Sequence, residues 1–183
     1  MSNSRGLRLP FLFITLKLKI IMEKPDNWLQ DPHMSEVKLV YQSQSQSDNK
    51  PILKHPIDVF KYLISIWDMD RIELQEEFCL LLLNNELRCT GWHRLSTGGK
   101  NATVVDISLL LIVAALGNAH SVIIAHNHPS GRLKPSHADI SLTKRIYKSL
   151  NIVGITLNDH LIIHRDDYYS FSQHRLLDKI SKL

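Results

Sequence analysis

A chain of 183 residues with 44% hydrophobic and 22% charged side chains has the make-up of a soluble globular protein, long enough to bury its own core. Its net charge of +4 permits contact with nucleic acid, but the lysines and arginines are spread along the chain rather than clustered, unlike a dedicated DNA-binding domain. Two cysteines, Cys79 and Cys89, in no Cys-x-x-Cys spacing, exclude an all-thiolate zinc site and fit buried thiols in a reducing, cytoplasmic setting.

Arg5 and Arg8 precede an apolar run over residues 9–16 that superficially looks like a signal peptide. Lys17 and Lys19 interrupt it, no small-x-small cleavage site follows, and it is far short of the ~20 apolar residues of a membrane helix. The favoured expectation is an extension upstream of a start at Met22 or Met34, with residues 1–35 irregular and one domain over 36–183. Residues 37–41 alternate like a short strand. A Gln/Ser-rich polar loop then runs to Lys50.

Pro56 suits the first position of a helix. Val59, Phe60, Leu63, Ile64 and Trp67 follow at helical spacing as its core-facing stripe. The continuous apolar run over residues 78–83 predicts a strand buried on both faces, and Asn84, Asn85 and Glu86 turn the chain into a second strand over 87–93. A loop spans 96–101. Asp106 caps a helix over roughly 107–118, ended by Gly117 and Asn118. Residues 121–125 form a short buried strand leading into His126. After Pro129 and Gly131, a helix starts at Ser136 and runs to about Leu150, with Ser136 and Asp139 spaced as a capping box. Residues 152–157 and 161–164 read as two strands with Asn158 and Asp159 at a turn between them, and the tail from Gln173 as a short helix. This alternation predicts an α/β (α+β) fold, a mixed central β-sheet with helices on its faces.

His126 and His128 stand at the end of a buried strand, and side chains two apart in extended chain point the same way, so both imidazoles can reach one ion. Asp139 falls in the first turn of the next helix, where backbone N–H groups favour a carboxylate. Two imidazoles and a carboxylate leave a fourth position open, the arrangement of a catalytic zinc site. Such chemistry needs a general base from elsewhere in the fold. Glu73, Glu76 and Glu77 all precede the 78–83 strand, and the spacing does not choose among them. Asn127 and Ser130 read as turn-shaping residues.

The spacing His126-x-His128, seven residues, Ser136, two residues, Asp139 resembles the signature of the JAMM (MPN-domain) zinc metalloproteases. More narrowly, residues 125–131, Lys134 to Ser136, and Asp159-His160 with the apolar residues after them resemble the RadC-like JAB-domain proteins. The resemblance covers roughly residues 36–175. It implies one Zn2+ held by His126, His128 and Asp139, with Ser136 stabilising the oxyanion. It also implies Glu77, directly before the apolar strand, as the general base for zinc-bound water attacking an amide carbonyl of a peptide or protein substrate. His160 matches a family position and reads as a supporting residue. The helix-hairpin-helix region of long RadC proteins has no counterpart ahead of residue 56. That weakens a repair role and leaves the zinc site untouched; the alternative to the hydrolase is a DNA repair or mobile-element accessory protein that keeps zinc without proteolysis. The string His126-Asn127-His128 does not indicate an HNH nuclease, whose three residues are dispersed over a hairpin and helix. No membrane partner is expected.

Overall fold

The computed structural model describes residues 19–23, 36–40, 50–97 and 105–182. The elements run β1 (Lys19–Glu23), β2 (Glu36–Val40), α1 (Pro56–Ile66), β3 (Glu77–Leu83), β4 (Cys89–Thr97), α2 (Ile107–Leu116), β5 (Ser121–Asn127), α3 (His137–Ile152), β6 (Thr156–Ile163), β7 (Tyr168–Ser170) and α4 (Leu176–Ser181). Most of the Gln/Ser loop and residues 98–101 of the expected loop lie outside the described residues. No described helix is long and apolar enough to cross a membrane.

β1 and β2 form an antiparallel pair of their own, so the expectation that residues 1–35 are irregular fails for Lys19–Glu23. Ile20 and Ile21 give that stretch strand propensity, and the 36–40 strand supplies a partner.

The main sheet has the order β4-β3-β5-β6-β7. β3 pairs antiparallel with both β4 and β5, while β5 and β6 are parallel. A parallel pair requires a crossover, and α3 supplies it. Alternate residues of β3 divide between two cores. Phe78, Leu80 and Leu82 join Val122, Ile124, Ile146 and Leu150 on the side of α2, α3 and α4. Cys79, Leu81 and Leu83 join Val59, Leu63 and Trp67 on the α1 side. The mixed sheet covered on both faces is the predicted fold, and every residue of β3 and β5 is buried.

The expected break at Asn158 and Asp159 is absent, because β6 is one strand. The β5–β6 register passes from Val122↔Leu157 to Ile123↔Asp159, leaving Asn158 as a bulge. Asn158 Nδ2 donates to Ser121 Oγ at 2.8 Å. The Asp159 carboxylate accepts from Ser170 Oγ at 2.6 Å and from the Ser172 amide at 2.8 Å. Two turn-prone side chains thus find cross-strand partners, and the chain stays extended. Burial raises the Asp159 pKa against these hydrogen bonds.

Candidate metal centre

His126 lies on the α3 side of β5, in the same parity as Val122 and Ile124, with its ring stacked 5.9 Å from Phe78. His128 follows just past the strand end. Asp139 sits in the first turn of α3, where the predicted capping box is complete. The Ser136 amide donates to Asp139 Oδ2 at 2.7 Å, and the Asp139 amide donates to Ser136 Oγ at 3.1 Å.

The three ligand atoms converge. His126 Nε2 is 2.9 Å from His128 Nε2 and 3.3 Å from Asp139 Oδ1, and His128 Nε2 is 3.6 Å from Asp139 Oδ2. A tetrahedral zinc with bonds of ~2.0–2.1 Å separates its ligands by roughly 3.3 Å. The residues therefore fit the ion in type and spacing, and they group as a possible metal-binding cluster. Burial opposes ionisation of Asp139, but the adjoining His126 and His128 imidazoles hold its carboxyl far below the ordinary range. For His128, desolvation favours the neutral ring, and the contacts to Asp139 and the Arg132 carbonyl outweigh it, raising its pKa.

The surrounding hydrogen bonds choose the tautomers, as assigned from the network. The Thr143 hydroxyl donates to the Asp139 carbonyl at 2.6 Å and lies 2.7 Å from His160 Nδ1. Having given its proton to Asp139, it accepts from His160 Nδ1–H. His160 Nε2 must then accept from His126 Nδ1–H, 2.8 Å away, which leaves the His126 Nε2 lone pair free for a metal. Burial lowers the His160 pKa well below its usual value, keeping the ring neutral for this role. His128 Nδ1 faces the Arg132 carbonyl, so its proton is there and its Nε2 is free as well. Gly131 closes this turn, its amide donating to the His128 carbonyl at 2.9 Å. It adopts φ +72° against the His164 ring, a conformation open to glycine.

A cavity of about 1030 Å³ opens over the ligands, lined among others by Glu76, Phe78, Ser136, Leu142 and Arg145. Glu77 does not line it. Its side chain is 1% exposed and meets Arg94 Nε at 3.2 Å, on the side of the sheet where Cys79 and Leu81 pack. The reason is alternation: the residue directly before Phe78 points away from Phe78 and His126, whereas the residue two before shares their side. This placement sets Glu77, which the resemblance implies as the base, away from the cavity. Glu76, the rival the spacing left open, is the acid at the cavity.

Sequence reasoning also passed over two contributors. Asn127, wholly buried, does more than shape a turn. Its Nδ2 donates to the carbonyls of Ile72 at 2.6 Å and Gln75 at 2.9 Å, and its Oδ1 accepts from the Glu77 amide at 2.8 Å. It thus staples the segment bearing Glu76 to the strand bearing the ligands. A buried-strand asparagine between two ligands was the available signal. Thr143 gave none, since a threonine on a helix face is common.

A mixed sheet with two histidines at one strand end and a carboxylate capping the following helix forms an α/β domain with a candidate metal site. Residues 53–176 match the sequence model of the RadC-like JAB domain, and the chain belongs to that family. It is 44% identical over 104 residues to a UPF0758 protein of Porphyromonas gingivalis, covering 56% of this chain and 46% of that protein. It is 41% identical over 103 residues to UPF0758 protein YeeS of Escherichia coli K12, covering 56% of this chain and 70% of the relative. With UPF0758 protein YkfG of the same organism it shares 43% over 103 residues, 56% of this chain and 65% of the relative. The matched region is thus under half the length of the Porphyromonas protein.

Proposed function

We propose that this protein is a zinc-dependent hydrolase of amide bonds, a metallopeptidase or isopeptidase, with Glu76 as general base. The observation that carries this reading is the convergence of His126, His128 and Asp139 at near-tetrahedral spacing on the floor of a cavity that Glu76 and Ser136 also line. When bound, zinc supplies Lewis acidity that makes a water nucleophilic near neutral pH and polarises a carbonyl. Glu76 takes the proton that the attacking water loses as the C–O bond forms. It then delivers that proton to the amine nitrogen as the C–N bond breaks. Ser136 Oγ accepts from the Asp139 amide, so its own proton is available to the carbonyl oxygen where charge develops. The buried free thiols Cys79 and Cys89 agree with a reducing, cytoplasmic location.

The test is a pair of neighbouring substitutions assayed on a proteome-derived peptide library by mass spectrometry. Glu76→Gln retains one zinc per chain and loses turnover by about 100-fold or more. Glu77→Gln retains cleavage per folded molecule, because its carboxylate meets Arg94 outside the cavity. Loss of zinc from Glu76→Gln, or unchanged cleavage by it, would overturn the assignment of the base.

A further inference from the structure

The cavity carries more positive charge than the metal chemistry uses. Arg132, Lys134 and Arg145 all line it, and among the described residues none of their cationic groups has a carboxylate partner. Asp139 offsets only half the charge of a divalent ion, so these three cations stay uncompensated around a hollow site, where field lines concentrate. Two of them stand on a fixed turn, since the Arg132 carbonyl holds His128 and the Gly131 amide closes the loop. The third projects from α3, whose residues Ala138, Leu142 and Arg145 present one helix face to the cavity.

We infer that the site selects an acidic peptide, one bearing carboxylates beside the bond to be cleaved. This inference rests on the hydrolase reading above and names its substrate class. Arg145 lies six residues beyond Asp139 on α3, roughly 9 Å along the helix axis. An extended peptide advances ~3.3 Å per residue, so Arg145 addresses a side-chain carboxylate about two or three residues from the cleaved bond. Arg132 and Lys134 meet a second acidic group on the side of the 129–135 turn. A nucleic-acid strand fits less well. The three cations surround one hollow rather than tracking a backbone. Among the described residues the one aromatic carbocycle lining the cavity, Phe78, is 1% exposed and offers no face for stacking a base. The apolar walls from Val105, Leu142, Pro129 and Pro135 suit peptide side chains.

The experiment uses zinc-loaded full-length Glu76→Gln protein and three fluorescein-labelled peptides of one sequence, carrying Glu, Ser or Lys at the flanking positions. Fluorescence anisotropy should rank them Glu over Ser over Lys, by roughly fivefold per step at low salt. Adding Arg145→Glu should shrink the preference for the Glu peptide severalfold, while Arg145→Lys should keep it. Near-equal binding of the Glu and Ser peptides, no binding of any peptide, or displacement by a single-stranded oligonucleotide more readily than by free Glu peptide would each overturn the inference. Wild-type protein incubated with the same peptides separates the two readings. Charge-ranked binding without cleavage sinks the hydrolase and leaves the acidic-ligand site standing. Cleavage indifferent to charge does the opposite.

Discussion

At the scale of single residues, two side chains outside the ligand set carry predictions. Asn127→Ala removes three hydrogen bonds, two of them buried, and leaves backbone groups unmet, a loss of about 1–3 kcal/mol in urea unfolding. Because Asn127 points away from the metal, the variant should still bind zinc one to one while its turnover falls. A variant that loses zinc and turnover together would mean Asn127 shapes the ligands rather than the segment of Glu76. His160 should behave the opposite way. His160→Ala breaks the hydrogen-bond path from Asp139 through Thr143 to His126. Competition with a chelator should show zinc affinity reduced by roughly 10–100-fold. The three candidate ligands were legible as a cluster in the sequence because all three lie between positions 126 and 139, where local spacing carries the geometry. Which acid reaches the cavity was not, because Glu76 and Glu77 differ only in which side of β3 they face. Phe78, pairing with His126 across the β3–β5 register, is the residue that decides it.

At the scale of elements, apolar runs and caps gave reliable boundaries wherever burial was complete. β3 and β5 read directly from their aliphatic residues. Asp106 caps α2 by accepting from the amides of Ser108 and Leu109, as its position ahead of the apolar run indicated. β7 and the unbroken β6 did not read, since three residues of edge strand carry little pattern and Asn158-Asp159 mimics a turn. β3 and β4 also carry the two cysteines, buried on the α1 side. Burial pushes the Cys89 thiol up to about 11 from 9.0, and raises Cys79 further. A thiol whose folded pKa is raised contributes stability fully present below its unfolded value and lost as pH climbs through the folded one. Folded protein should therefore resist alkylation near neutral pH and react at both thiols in urea. Its urea midpoint should fall between about pH 9 and 11, with Cys89 contributing on the order of 2–3 kcal/mol. A flat midpoint over that window would show that the thiols are not held from solvent as described.

For the whole molecule, a metal held by this cluster would be linked to the fold through one carboxylate. Asp139 offers one oxygen to the ligand cluster and the other to the α3 cap, and α3 covers the sheet by packing Ile146 and Leu150 into the larger core. Zinc at ~100 times its Kd adds roughly 2.7 kcal/mol to the folded state. For a chain of this size that is a rise in Tm of about 5–10 °C, reversed by EDTA. Asp139→Ala should abolish the zinc-dependent part of the shift. A thermal scan with and without metal checks this, and a Tm indifferent to zinc would contradict the ligand set.

The candidate metal ligands come from one strand, one turn and one helix start, whereas the acid that would act with them arrives from some fifty residues earlier, across β3. The two halves of the chemistry are therefore separately mutable. A lineage could drift at Glu76 and still inherit an intact ion site, with selection on folding alone preserving His126, His128 and Asp139. Among relatives of this chain, metal content would then mark common descent, and the side of β3 on which an acid stands would mark who still catalyses.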